Sequence, residues 1–143
     1  MEGDTGVSAS VPSVADMNTE TVNQSVNDFF DRYATTLLAR DEKTISRLYA
    51  VPALILFPGN PVPVSDASQT EAFFASAWEQ YDGVSAVEKQ VEILAEGPGT
   101  VWADVTWSYD GEPRERMCYQ LVDGADGWQI AVLTPLAVLA PLE

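Results

Sequence analysis

The residues that could carry chemistry are few in this chain of 143 residues. There are no histidines, so the commonest general base and the commonest metal ligand are both missing. Cys118 is the only cysteine, so there is no intrachain disulfide and no cysteine cluster for zinc. Without a histidine to activate it, Cys118 is not expected to act as a nucleophile. The sequence therefore predicts no catalytic residue, no metal site and no cofactor.

Two kinds of side chain remain as candidates for binding. Arg114 and Arg116 suit the recognition of carboxylate or phosphate, which makes an anion site one interpretation. Surface pairing with Asp104 or Glu115 is the simpler one. Tyr33 lies on an apolar stripe, where its hydroxyl can hydrogen-bond a ligand or merely complete the core.

The charge of the chain excludes two classes of partner. Its net charge is −15, from 22 acidic and 7 basic residues. Nucleic acids and anionic membrane surfaces both attract clustered Lys and Arg, so neither is expected as a partner. An acidic surface aids solubility, and it also fits a protein that works in a salty cytoplasm, where ions screen the self-repulsion.

The ends of the chain indicate where it works. The N-terminus reads Met1-Glu2-Gly3-Asp4, without the basic and apolar stretches of a secretory signal, so a cytoplasmic location is expected. No apolar run approaches the roughly 18–20 residues of a membrane span. Residues 1–17 are small, polar and non-periodic, which predicts a disordered tail before a single domain over residues 18–143.

Three helices are predicted from apolar spacing and capping residues. Asn18 or Thr19 caps the first, in which apolar residues recur at three- and four-residue steps from Val22 to Leu38. Asp41 caps a short second helix that is expected to include Tyr49 and to end before Pro52. Asp66 caps the third. Between the second and third helices, 53–57 reads as a short strand and 62–64 as an edge strand.

The chain after Gly83 reads as strands joined by tight turns. A three-residue loop, 110–112, is predicted to set Tyr109 opposite Pro113 in the central hairpin. This register sorts the apolar residues onto one face, whereas a one-residue slip would exchange the two faces. The predicted inner face consists of Val101, Ala103, Val105, Trp107, Tyr109, Met117, Tyr119 and Leu121. The outer face is polar, with Asp104 expected to contact Arg116.

The order of these elements resembles the nuclear transport factor 2-like proteins, which include ketosteroid isomerases and SnoaL-like cyclases. The resemblance lies in the segment 31–41 that leads to Pro58, and in the turns 107–111 and 123–130. It implies an α+β fold in which three N-terminal helices pack on a strongly curved, mostly antiparallel sheet, forming a cone with a central pocket. It also implies a homodimer that pairs through the sheet face.

The functional residues of the isomerases are only partly present. Tyr33 matches their substrate-binding tyrosine, but the general-base aspartate falls on Phe57. The position of their second acid, which belongs to the oxyanion hole, corresponds to about Met117 in the predicted strand register. In the alternative registers it corresponds to about Cys118 or Gln120. No carboxylate on the predicted inner face is an obvious base, so the isomerase acid–base pair is missing.

These observations favour a small-molecule binding domain with an apolar pocket and no catalytic group. The predicted pocket residues are Tyr33, Phe57, Trp78, Trp107, Tyr109, Met117 and Tyr119. Two alternatives stay open. One is a SnoaL-like isomerase, cyclase or dehydratase that acts on an apolar carbonyl compound. The other is a dimeric protein-interaction module that uses the polar sheet face around Trp102.

Overall fold

A computed structural model describes residues 14–138, with side chains from residue 21 onward. Its elements in chain order are α1 (Val14–Ala39), α2 (Glu42–Ser46), β1 (Tyr49–Phe57), β2 (Asn60–Val64), α3 (Ala67–Ala77), β3 (Val87–Gly97), β4 (Thr100–Tyr109), β5 (Glu112–Gly124) and β6 (Gly127–Leu136). A turn of 3-10 helix, Trp78–Tyr81, extends α3. No helix in this part of the chain is long and apolar enough to cross a membrane.

Helix α1 supplies the helical side of the core. It begins at Val14, four residues before the predicted cap at Asn18, and residues 1–13 of the predicted tail lie outside the described part. The predicted apolar stripe is confirmed, because its central members are fully buried against the sheet. They are Val26, Phe29, Phe30, Tyr33 and Leu37.

The second helix is shorter than predicted. Asp41 caps it as expected and accepts a hydrogen bond from the Thr44 amide at 3.1 Å, but the helix ends at Ser46. Tyr49 was wrongly predicted as helical and instead begins β1. The Ile130 amide donates to the Leu48 carbonyl at 2.8 Å, so pairing with β6 already holds the chain extended there.

The six strands form one mixed sheet in the order β2-β1-β6-β5-β4-β3. Every neighbouring pair is antiparallel except β1 and β6, which are parallel. Helix α3 crosses from the β1–β2 hairpin to β3 and begins with the predicted capping box of Asp66 and Gln69. The α+β class is thus confirmed, and the third helix follows the two strands that were predicted at 53–57 and 62–64.

The turn between β4 and β5 is tighter than predicted. Tyr109 pairs with Glu112 and not with Pro113, so the loop contains only Asp110 and Gly111. Both residues have positive φ, 51° and 88°, which is the geometry of a two-residue type I′ turn. Asp110 suits this position because asparagine and aspartate tolerate left-handed backbone better than other non-glycine residues.

A bulge in β5 compensates for the shorter loop. Ser108 pairs with Pro113 but Trp107 pairs with Glu115, so Arg114 is one residue extra in β5. Beyond the bulge, the predicted register is confirmed. The eight residues predicted for the inner face are all buried.

The outer face of the sheet carries the predicted ion pair. The Arg116 guanidinium donates twice to the Asp104 carboxylate, from Nη2 at 2.5 Å and from Nε at 3.0 Å. It also donates to the Ala137 carbonyl at 3.1 Å. The bidentate geometry and the burial of Asp104, which is 8% exposed, make this contact more protected than an ordinary surface pair.

Replacing Thr70 with valine is expected to stabilise the domain by about 1 kcal/mol. Thr70 in α3 is fully buried, and its hydroxyl oxygen has no hydrogen-bond partner among the described residues. Valine fills the same space without the cost of burying a hydroxyl. Urea unfolding measures the effect, with Thr70→Ser as the control that keeps the hydroxyl and loses the methyl group. A lower unfolding midpoint for valine than for threonine would contradict the expectation.

Candidate functional site

A cavity of about 270 Å³ lies between the helices and the inner face of the sheet. Eight of its 16 lining residues are aromatic, so ring surfaces form a large part of its walls. The aromatic members are Tyr33, Phe57, Phe73, Phe74, Tyr81, Trp107, Tyr109 and Tyr119. The other lining residues are Leu37, Asn60, Ser76, Ala77, Gln80, Glu115, Met117 and Leu133.

The structure brings six of the seven predicted pocket residues to this cavity. They are Tyr33, Phe57, Trp107, Tyr109, Met117 and Tyr119. Trp78 is not part of the lining. Its ring packs behind the wall, between Phe74 and Tyr81, and its indole N–H donates to the Glu42 carboxylate at 2.9 Å. Trp78 lies at the end of α3, where the 3-10 turn directs it toward α2.

Two tyrosines of the cavity wall, Tyr33 and Tyr119, have buried hydroxyls with defined hydrogen-bond partners. The hydroxyl oxygens of Tyr33 and Tyr49 are 2.7 Å apart and share one hydrogen bond, so one of their two hydrogens is left to donate elsewhere. The Tyr119 hydroxyl accepts from the Trp107 indole N–H at 2.9 Å, which leaves its own hydrogen free to donate. Because Tyr33 and Tyr119 both line the cavity, it offers hydroxyl donors to a ligand oxygen.

Glu115 is a cavity side chain that the sequence did not predict. The sequence predicts no obvious base on the inner face and offers Glu115 only as a surface partner of the arginines. The structure instead places it opposite Trp107, in the cavity wall. The alternation of side chains along β5 could have predicted this position. Every second residue of a strand points to the same face, and Glu115 is two residues before Met117 on the inner face.

Two tyrosines hold the Glu115 carboxylate in the cavity. The Tyr109 hydroxyl donates a short hydrogen bond to Oε1, and the Tyr81 hydroxyl reaches the same oxygen at 3.4 Å. The other oxygen, Oε2, has no hydrogen-bond partner among the described residues. The carboxylate is therefore oriented by the protein and still has one oxygen available to a ligand.

The segment that carries Tyr81 is held by contacts from two neighbouring elements. The guanidinium of Arg40, at the end of α1, donates to the carbonyls of Tyr81 and, at 3.4 Å, Val84. The Asp110 carboxylate accepts from the Ser85 amide at 3.1 Å and from the Ala86 amide at 2.9 Å. These hydrogen bonds lower the pKa of Asp110 below its ordinary value of 3.8. The β4–β5 turn, which contains Asp110, therefore also stabilises the segment that follows Tyr81 in the cavity wall.

All five tyrosines of the chain have a raised pKa, with burial as the largest cause. Repulsion from other buried phenols or from Glu115 adds to the shift for each of them. They are Tyr33, Tyr49, Tyr81, Tyr109 and Tyr119. The phenols of the cavity are therefore neutral near pH 7 and act as hydrogen-bond donors.

The tyrosines are expected to titrate only when the protein unfolds in alkali. Their folded pKa lies above the ordinary value of 10.0, so their burial stabilises the fold below pH 10 and this contribution is lost as the pH rises further. Tyrosinate absorbance near 295 nm should therefore rise in one step together with the loss of near-ultraviolet circular dichroism. Phenols that titrate near pH 10 while the fold stays intact would contradict this.

The two positions at which the resemblance predicts the isomerase acids, Phe57 and Met117, both lie in the cavity wall. Phe57, at the position of the general base, stacks on Phe73 with ring centroids 5.5 Å apart. Met117, at the position of the second acid, is buried in the cavity wall. Cys118 points to the outer face, where burial and the nearby Asp104 raise the pKa of its thiol, so its nucleophilic form is disfavoured.

The described residues contain no group of three or more acidic or cysteine side chains that could hold a metal ion. A single carboxylate among aromatic rings is not a metal-ligand set, since the hard divalent cations require several oxygen ligands. What the arrangement can do chemically is bind a small molecule against ring surfaces. It can also present that molecule with one carboxylate and several neutral hydroxyl donors.

Solved structures with the same fold include proteins of differing proposed activity. A proposed dehydratase of the NTF2-like family from Streptomyces avermitilis has a TM-score of 0.64 at 15% identity, covering 85% of this chain and 99% of that chain. A proposed aromatic ring hydroxylase from Novosphingobium aromaticivorans has a TM-score of 0.60 at 14% identity, covering 82% and 89%. A domain of unknown function with a cystatin-like fold from Nostoc punctiforme has a TM-score of 0.60 at 14% identity, covering 90% and 81%.

At these identities the solved structures show the shared fold and not a shared activity. No curated protein matches the sequence. The sequence model of one family, described as NTF2-like protein (DUF6841), matches residues 20–138, which include every residue that lines the cavity. The chain belongs to this NTF2-like family.

Proposed function

We propose that this protein binds a small, mostly apolar molecule inside its cone. The observation that carries the proposal is the cavity of about 270 Å³, half of whose lining residues are aromatic. Ligand pockets for drug-sized molecules span roughly 300–1,000 Å³, so this cavity suits a smaller ligand built around one ring. The tyrosine hydroxyls supply the few polar contacts that orient such a ligand.

A cavity-filling variant tests the binding proposal. Single-ring compounds such as 2-phenylethanol are titrated while the fluorescence of the tryptophans is recorded, since Trp107 lies in the wall. Leu37→Phe places extra volume in the cavity and is expected to abolish the response. Leu94→Phe is the matched control, because Leu94 is exposed on β3. Equal responses from both variants would show that the compounds bind elsewhere, and circular dichroism verifies that each variant is folded.

The second candidate function is proton transfer on a small carbonyl compound, and it is favoured by Glu115. Its free Oε2 is suited to remove a proton from the carbon next to the carbonyl group, while a hydroxyl of Tyr33 or Tyr119 donates to the carbonyl oxygen. The fold relative described as a proposed dehydratase is compatible with chemistry of this kind.

Deuterium exchange tests the proton transfer directly. Phenylacetone in D2O is followed by NMR, and the protein is expected to speed exchange at the carbons next to the carbonyl group. Glu115→Gln should lower that acceleration about 100-fold or more, since a positioned general base contributes 10²–10⁴-fold. Glu112→Gln removes an exposed carboxylate from the same hairpin and serves as the control. Equal rates for Glu115→Gln and the unchanged protein would exclude Glu115 as the base.

We also propose that two chains pair through the outer face of the sheet. This face is less polar than its charged residues suggest, because Asp104 is buried and Trp102 is half-buried there. Analytical ultracentrifugation should then show a dimer. Thr106→Glu, in the middle of the outer face, should dissociate it, whereas Ser68→Glu on α3 should not. A monomer at all concentrations would rule the pairing out.

A further inference from the structure

The cavity has one charged lining residue, and no cation of the protein compensates it. Glu115 is the only acidic residue of the lining, and no lysine or arginine contributes to the lining. The chain has only seven basic residues, and all lie within the described part. The ion pairs among the described residues join Lys89 to Asp31, Arg114 to Glu112 and Arg116 to Asp104, and none includes Glu115.

Hydroxyl groups donate hydrogen bonds to only one of the two carboxylate oxygens of Glu115. Tyr81 and Tyr109 both donate to Oε1, while Oε2 has no partner among the described residues. A carboxylate in an aromatic cavity is costly unless a charged partner or several donors compensate it. The site therefore favours a ligand that brings a positive charge to Oε2.

The surrounding rings favour the same kind of ligand. The face of an aromatic ring carries negative electrostatic potential and attracts a cation within about 6 Å of its centre. Tyr81 and Tyr109, which hold Glu115, meet at 79° with ring centroids 5.4 Å apart, so they form two differently oriented walls beside the carboxylate. Among the described residues, the cation that lies over a ring is Arg32 over Phe29, and Phe29 is outside the lining.

The charge of the whole protein acts in the same direction. A net charge of −15 concentrates cations near the surface and repels anions. An anionic ligand would meet Glu115 without any arginine or lysine in the cavity wall to bind it. A neutral ligand would fill the aromatic part and bring no positive charge to Oε2.

We propose that the cone is a binding site for a small organic ammonium ion, whose nitrogen lies at Glu115 Oε2 and whose apolar part lies among the aromatic rings. The inference rests on the proposed binding function and adds the charge of the ligand. Amines with one aromatic ring, or alkylammonium ions of similar size, match the volume of the cavity.

A matched pair of ligands tests the proposal by calorimetric titration at pH 7. The probe is 2-phenylethylamine, which is an ammonium ion at this pH, and its neutral partner is 2-phenylethanol, with the same ring and chain length. The amine is expected to bind about tenfold more tightly or better, because a hydrogen bond from its ammonium group to the Glu115 carboxylate is charge-assisted, whereas the hydroxyl of 2-phenylethanol brings no charge. Added salt should reduce this preference.

The Glu115→Gln variant should bind the two probes with equal affinity, while Glu112→Gln should keep the preference for the amine. Equal binding of the two probes by the unchanged protein would overturn the ammonium proposal and leave the binding function standing. Failure of both probes to bind would overturn both proposals. A preference for the amine that survives Glu115→Gln would refute Glu115 as its cause.

Discussion

Replacing Trp107 with alanine is expected to lower the free energy of unfolding by about 3–5 kcal/mol, the usual cost of deleting a large aromatic side chain from a core. Trp107 is 1% exposed and packs against Tyr33 and Phe30, with ring centroids 5.5 and 6.1 Å away. The substitution also removes the indole N–H that donates to the Tyr119 hydroxyl. A new cavity and an unpaired buried hydroxyl would therefore result together.

Trp102→Ala is the matched control for this substitution. Trp102 is the same residue type on the same strand, but it lies on the outer face and is only half-buried. Its loss should cost clearly less. Urea unfolding of both variants provides the comparison, and an equal loss for the two would contradict the assignment of the faces of β4.

Replacing Gly111 with valine is expected to destabilise the domain by about 1–3 kcal/mol, because a branched residue is strained in left-handed backbone. Gly111 has φ of 88°, and a side-chain carbon added there would meet nothing within 4 Å. The entire cost should therefore come from the backbone and not from crowding. Thermal unfolding measures it as a lower Tm.

Gly111→Asn separates backbone strain from any other effect at this turn. Asparagine tolerates positive φ, so this variant should retain most of the stability that valine loses. Because the two-residue turn and the bulge together set Glu115 opposite Trp107, valine should also weaken binding of 2-phenylethylamine. If asparagine and valine were equally destabilising, backbone strain at Gly111 would not be the cause.

The helices and the faces of the sheet were predictable because they follow from local periodicity. The three- and four-residue spacing in α1 and the alternation in β4 and β5 each leave one arrangement that buries the apolar side chains. Capping at Asp41 and Asp66 is similarly local, since the side chain and the amides it contacts are neighbours in sequence. These two caps were confirmed, whereas the cap predicted for α1 at Asn18 or Thr19 lies inside the helix.

The errors arose where a distant part of the chain decides the local structure. Tyr49 has a helical spacing with Ile45, but pairing with β6, some 80 residues later in the sequence, extends the chain there. The turn at Asp110 and Gly111 is one residue shorter than the predicted loop, and a bulge at Arg114 restores the same register. Short-range patterns do not distinguish a three-residue loop from a two-residue loop followed by a bulge.

The sequence by itself determined the fold class, the buried face of the central hairpin and most of the aromatic lining. Apolar residues must leave water, and their spacing selects the elements that can bury them together. Only the tertiary structure decided that Trp78 lies behind the wall and that Glu115 lies within it. Tyr81 and Tyr109 meet that carboxylate from different elements, and such convergence depends on how distant segments pack.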